Sequence, residues 1–158
     1  MDRRDCIGTR VGSTSITSMD CTSSTSSSLL LATSHPDGKV RLWDVRTDGE
    51  AANLSSTATT TLGNTTTLGK SSHWMSQVKW RPKSDSILVS SDYTGAVTLW
   101  DIRTSVPLGR MEAHDGKTLC CDWLMEGEGS SSGSDSGSSS RIISGGSDSC
   151  IVTTAVHQ

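Results

Sequence analysis

The 158-residue sequence has no phenylalanine, a single tyrosine and only 32% hydrophobic residues. So few large apolar side chains cannot enclose the whole chain, and roughly half of it is expected to pack while the rest stays solvated loop. No apolar run approaches the ~20 residues of a membrane-spanning helix, and the opening MDRRDCIGTR lacks the apolar segment of a signal peptide. The expectation is a soluble intracellular protein with no membrane contact. Strong charge is also missing: a net charge of −3 supplies no field toward nucleic acid or an anionic surface, so RNA association is expected only through partners. Cys6, Cys21, Cys120, Cys121 and Cys150 are odd in number and form no C-x-x-C pair, which indicates neither a zinc site nor a disulfide framework. With no metal cluster, phosphate-binding glycine loop or credible nucleophile in view, no cofactor, metal or catalytic residue is expected, and the chain reads as a non-enzyme.

What is present is repetition. Leu31 to Thr47, LATSHPDGKVRLWDVRT, recurs 57 positions later as Leu88 to Thr104, LVSSDYTGAVTLWDIRT. Each copy has an apolar pair, small hydroxyl residues, a turn with Gly38 or Gly95, an alternating strand and then Trp-Asp-x-Arg-Thr, the pattern of a β-hairpin closed by a short polar turn. A weaker third copy, IISGGSDSCIVTTAVHQ from Ile142 to Gln158, keeps Gly145 and Asp148 but has Thr154 where the others have Trp43 and Trp100.

A short strand precedes each hairpin: Ile16 to Cys21, Met75 to Trp80 and Thr118 to Trp123. Met19 and Cys21, Val78 and Trp80, and Cys121 and Trp123 lie two apart and share a strand face, which is expected to be buried. Cys21 and Cys121 then act as small hydrophobes. Each repeat is completed by a connection that should hold a fourth, outer strand. It is compact at Val106 to Ala113 but swollen from Asp48 to Ser72, where Leu62 or Leu68 is the expected anchor of that strand. Within the third repeat, residues 126–140 (EGEGSSSGSDSGSSS) read as a flexible Gly/Ser loop. The units run 14–70, with the long Ser/Thr-rich connection, 71–112, and 113–158, with the 126–140 insertion.

Four-stranded units ending in Trp-Asp resemble WD repeats, which implies an all-β propeller, here partial with about three blades where a propeller usually has at least about 4. In such repeats a Trp, a Ser or Thr, a His before the first strand and an Asp in the hairpin turn form a hydrogen-bonded set. By position, the resemblance gives Thr33, Asp37, Trp43 and Asp44 in the first repeat, with Gly12 where the histidine belongs. The second has Ser90, Trp100 and Asp101, with Thr94 for the turn aspartate and His73 two positions from the histidine place at Ser71. The third has His114, Ser144 and Asp148. No set is complete, and the Ser-His-Asp combination of the third is taken as structural.

Trp74 to Pro82, with W-x-x-x-V-K-W-x-P, and Ala113 to Trp123, with A-H-x-x-K-x-L-x-x-D-W, narrow the resemblance to the last blades of the WD-repeat subunit of the PeBoW complex. That resemblance implies a scaffold in large ribosomal subunit biogenesis and rRNA processing, in the nucleus and nucleolus, with the Bop protein and Pescadillo as partners. Midasin contact is implied only through an amino-terminal ubiquitin-like domain, which has no match here, so the sequence reads as a fragment, a truncated gene model or one piece of a split protein. The competing reading rests on Arg46 and Arg103 in WDVR and WDIR, which resemble the adaptor-contact arginines of cullin ubiquitin ligase substrate receptors.

Overall fold

The computed structural model describes residues 14–22, 30–44, 49–55, 60–61, 66–67, 73–104, 106–125 and 140–156. Among these there is no helix, and so none long and apolar enough to cross a membrane. Strands β1 (Ser18–Cys21), β2 (Leu30–Ser34), β3 (Lys39–Asp44) and β4 (Gly49–Ser55) form the body of the first sheet, to which β5 (Thr60–Thr61) and β6 (Thr66–Thr67) add a short hairpin at the β4 edge. The second sheet is the four-stranded meander β7 (Met75–Trp80), β8 (Ile87–Asp92), β9 (Ala96–Asp101) and β10 (Val106–Glu112), and the third is β11 (Thr118–Met125), β12 (Ser140–Gly146) and β13 (Ile151–Val156).

The four-stranded meander expected of each repeat is present in the first two sheets, the first with the short hairpin added, while the third has three strands among the described residues. The outer strand of the first sheet is Gly49–Ser55, upstream of Leu62 and Leu68, which lie outside the described residues. Backbone pairing with β3 along its length and with β6 at Asn53 makes it a strand, and apolar spacing in the sequence does not report such pairing. The insertion also ends one residue sooner than expected, since Ser140 opens β12 and pairs with Met125.

The sheets stack face to face through two seams. At the first, Ala32, Val40 and Leu42 meet Met75, Val78, Trp80, Leu88 and Trp100; at the second, Ile87, Val89 and Val97 meet Cys121, Trp123 and Ile142. The second sheet is thus covered on both faces, and every residue of β8 is buried. Its apolar side chains each contribute about 1.5–3 kcal/mol by leaving water.

The leading strands β1, β7 and β11 stand side by side, and side chains of one hydrogen-bond to the backbone of its neighbour. Asp20 Oδ2 accepts from the Trp80 amide at 2.8 Å, Gln77 Oε1 accepts from the Cys121 amide at 3.0 Å, and the Lys79 carbonyl accepts from Trp123 Nε1 at 3.3 Å. Those polar links correct one expectation. Val78, Trp80, Cys121 and Trp123 are buried, but Met19 is 57% exposed and Cys21 is exposed too. Strand alternation sends Ser18 and Asp20 of β1 toward the second sheet, and Met19 and Cys21 to the opposite face, away from that seam.

Candidate functional site

The hairpin turns carry the polar residues singled out by sequence, and each turn has the same backbone. Gly38, Gly95 and Ser149 occupy equivalent places with φ of 77°, 94° and 65°, and their amides donate to the carbonyls of His35, Asp92 and Gly146. Glycine takes this left-handed conformation freely, whereas Ser149 holds it at a cost.

In the first sheet, Trp43 Nε1 donates to Thr33 Oγ1 at 2.8 Å, and Thr33 Oγ1 lies 2.8 Å from His35 Nε2. His35 Nδ1 lies 2.8 Å from the Ser15 carbonyl, an acceptor only, so Nδ1 carries the proton and Nε2 accepts from the threonine hydroxyl. The chain of donation is indole to hydroxyl to imidazole to carbonyl. Burial, and next the nearby Arg41 cation, hold the His35 pKa below its ordinary 6.5, which keeps the ring neutral. Asp37 forms a two-point ion pair with Arg41 at 3.2 and 2.6 Å. Burial would raise its carboxyl pKa, but the Arg41 hydrogen bonds and charge outweigh that and leave it lowered. Sequence reasoning missed His35 by seeking a histidine ahead of the first strand, at Gly12, which lies outside the described residues.

In the second sheet Trp100 Nε1 donates to Ser90 Oγ at 2.8 Å. Asp92, also missed, stands at the position of His35; it is 1% exposed, accepts from the Thr94 amide at 2.8 Å and from the Thr94 hydroxyl, and pairs with Arg110 Nη1 at 3.0 Å. Both were findable, since aligning the copies puts His35 and Asp92 in one column at the mouth of the turn. His73 is exposed.

The third sheet fills the same space from elsewhere. His114, on the approach to β11, places Nε2 3.0 Å from Ser144 Oγ and Nδ1 3.0 Å from both Asp148 oxygens. The column residue is Gly146, and a Cβ built there would stand 2.5 Å from His114 Nδ1 and 2.6 Å from Asp148 Oδ1. Glycine leaves the volume the imidazole occupies. The Cys150 amide, ahead of the His114 contact, keeps the Asp148 carboxyl below its ordinary range. Thr154 pairs with Ile142 where an indole would stand.

These bonds have the connectivity of a hydrolytic triad, but Ser144 is 4% exposed in the middle of β12, and the first two sheets hold non-catalytic equivalents in the same place. Burial pushes the Cys121 thiol up to about 12, which keeps it protonated near neutral pH. Among the described residues no group of three His, Cys, Asp or Glu side chains could hold a metal ion.

At the opposite edge, Asp101 binds Arg103 through the backbone amide, Nε and Nη2, the last at 2.6 Å. This hydrogen bonding is the main reason the Asp101 carboxyl pKa is lowered. Asp44 ends β3, with its side chain outside the described residues, as is all of Arg46.

Sheets stacked face to face, with their leading strands adjacent and the first two hairpins closed by indole-to-hydroxyl bonds, define a propeller blade array, and the chain belongs to the WD-repeat β-propeller family. Its fold matches Saccharomyces cerevisiae Sqt1 with a TM-score of 0.65 at 15% identity, over 91% of this chain and 32% of that one. The computationally designed Ika8 protein matches with a TM-score of 0.52 at 16% identity, over 80% and 30%. No protein-family model matches the sequence. In sequence the chain is similar to proteins named "Ribosome biogenesis protein WDR12 homolog": 37% identical over 139 residues in Oryza sativa subsp. japonica, 32% over 119 in Chlamydomonas reinhardtii and 35% over 123 in Arabidopsis thaliana. These alignments cover 85%, 75% and 78% of this chain but only 26%, 23% and 23% of the relatives, so the chain spans about a quarter of their length.

Proposed function

We propose that this chain forms part of a non-catalytic protein-interaction scaffold, an assembly factor in large ribosomal subunit biogenesis and rRNA processing. The observation that carries the reading is the 37% identity over 139 residues to a ribosome biogenesis protein. The site chemistry supports it: the polar residues of each hairpin bond to one another and to backbone, which holds blades together and offers no reacting group to a substrate. The structural positions are Thr33, Asp37 and Trp43, Ser90, Trp100 and Asp101, and His114, Ser144 and Asp148. The work is nuclear and nucleolar, with the Bop protein and Pescadillo as partners in a pre-ribosomal complex. Midasin contact belongs to an amino-terminal ubiquitin-like domain and is not assigned to this chain. The ligase-receptor alternative is not favoured, since the relatives are ribosome biogenesis proteins. Affinity capture of the tagged protein from its own cells, read by mass spectrometry, should return Bop and Pescadillo; a cullin ligase adaptor in their place would overturn the reading.

A further inference from the structure

At the edge of the second sheet opposite the hairpin turns, the β7–β8 connection, the end of β9 and the end of β11 enclose an open depression of about 540 Å³. Its charged lining is three cations, Arg81, Lys83 and Arg103, against the single carboxylate of Asp101, on a chain whose net charge is −3. Pro82, Leu108 and Met125 supply an apolar part, and Leu108 is 55% exposed.

Arg81 and Lys83 are held in place without being neutralised, whereas Arg103 is paired with Asp101. Arg81 lies over the Trp123 ring, 5.9 Å from its centroid, and neither Arg81 nor Lys83 has an ion-pair partner among the described residues. Asp101 engages Nε and Nη2 of Arg103 and leaves Nη1 without a protein partner among the described residues. Lys83 is the telling residue. Arg81 to Ser84 form a tight turn, closed by the Ser84 amide donating to the Arg81 carbonyl at 3.1 Å, with Pro82 second and Lys83 third at φ 62°. That third place favours glycine. A lysine there carries backbone strain, and such outliers gather at binding sites.

We propose that this depression docks an anionic peptide segment of a partner protein, its carboxylates or phosphoserines taken by Arg81, Lys83 and Arg103 and an adjacent apolar side chain by Pro82, Leu108 and Met125. The site is independent of the ribosomal reading, since it follows from charge and turn geometry alone. Charge-assisted bonds from guanidinium and ammonium groups supply the selectivity.

The test is fluorescence anisotropy of the full chain with three labelled dodecapeptides: alternating Glu and Leu, the same with Gln for Glu, and the same with phosphoserine for Glu. At least one anionic peptide should bind about tenfold or more tighter than the Gln twin, and added salt should weaken it. The tighter of the two tells carboxylate from phosphate recognition. Lys83→Gly separates binding from folding, because it relaxes the turn: the unfolding midpoint should hold or rise while affinity for the anionic peptide falls severalfold. Arg103→Gln should lower affinity likewise. Equal binding of anionic and Gln peptides, no binding of any, or full affinity in a folded Lys83→Gly variant would overturn the proposal.

Discussion

The first and third sheets place an imidazole in the same hairpin slot by different routes. In the first it comes from the turn itself, at His35, stays neutral, and links the Trp43–Thr33 pair to the Ser15 carbonyl. In the third it arrives from the preceding connection, at His114, and joins Ser144 to the carboxylate of Asp148, while Gly146 leaves the room that a turn side chain would take. The second sheet dispenses with imidazole and uses Asp92. What the three slots share is a polar group that ties the turn to its surroundings; its residue identity and its origin in the chain are free.

The largest effect should come from the indole that closes a slot against a seam. Trp100 is fully buried in the first seam as well as bonded to Ser90, so Trp100→Ala should cost about 3–5 kcal/mol by urea denaturation. Trp43 has its bond to Thr33 but no place in that seam, and Trp43→Ala should cost measurably less. Equal losses would break the distinction between closing a hairpin and filling a seam.

Next comes Gly146→Ala, whose new methyl would overlap the His114 ring and should cost about 1–3 kcal/mol. The comparison is sharpened by moving the first sheet's solution into the third: Gly146→His combined with His114→Gly should regain part of that loss. If the double variant is no better than the single one, the slots are not equivalent.

Acid should then tell the imidazole of the first sheet from the carboxylates. Because the His35 pKa is lowered, the unfolded chain takes up a proton first as pH falls below 6.5, and stability declines from there. The lowered carboxyls of Asp37 and Asp148 contribute stability that is complete above 3.8 and is lost below it. A pH series of urea midpoints should show both declines, and His35→Gln should flatten the first while leaving the second. The smallest effect is expected at Ser149→Gly, which gives the third turn the residue of the other two and should raise stability by about 0.5–1 kcal/mol.

The repeat, the hairpins and the buried Trp and hydroxyl positions were legible because strand alternation and turn chemistry are written locally. Trp43 with Thr33 and Trp100 with Ser90 each span one hairpin. His35 and Asp92 were missed because the slot residue was sought ahead of the first strand, the route that the third sheet takes with His114. Strand β4 was hidden in a tract of small polar residues, and its backbone pairing with β3 is not written in that composition. Met19 was read as inward because alternation fixes which residues share a face, but not which face meets the neighbouring sheet.

The proposed role is tested most directly by depleting the protein in its own cells and following newly made ribosomal RNA by pulse-chase labelling. Precursors of the large-subunit RNA should accumulate while small-subunit RNA matures at its usual rate; normal maturation of both would contradict the account.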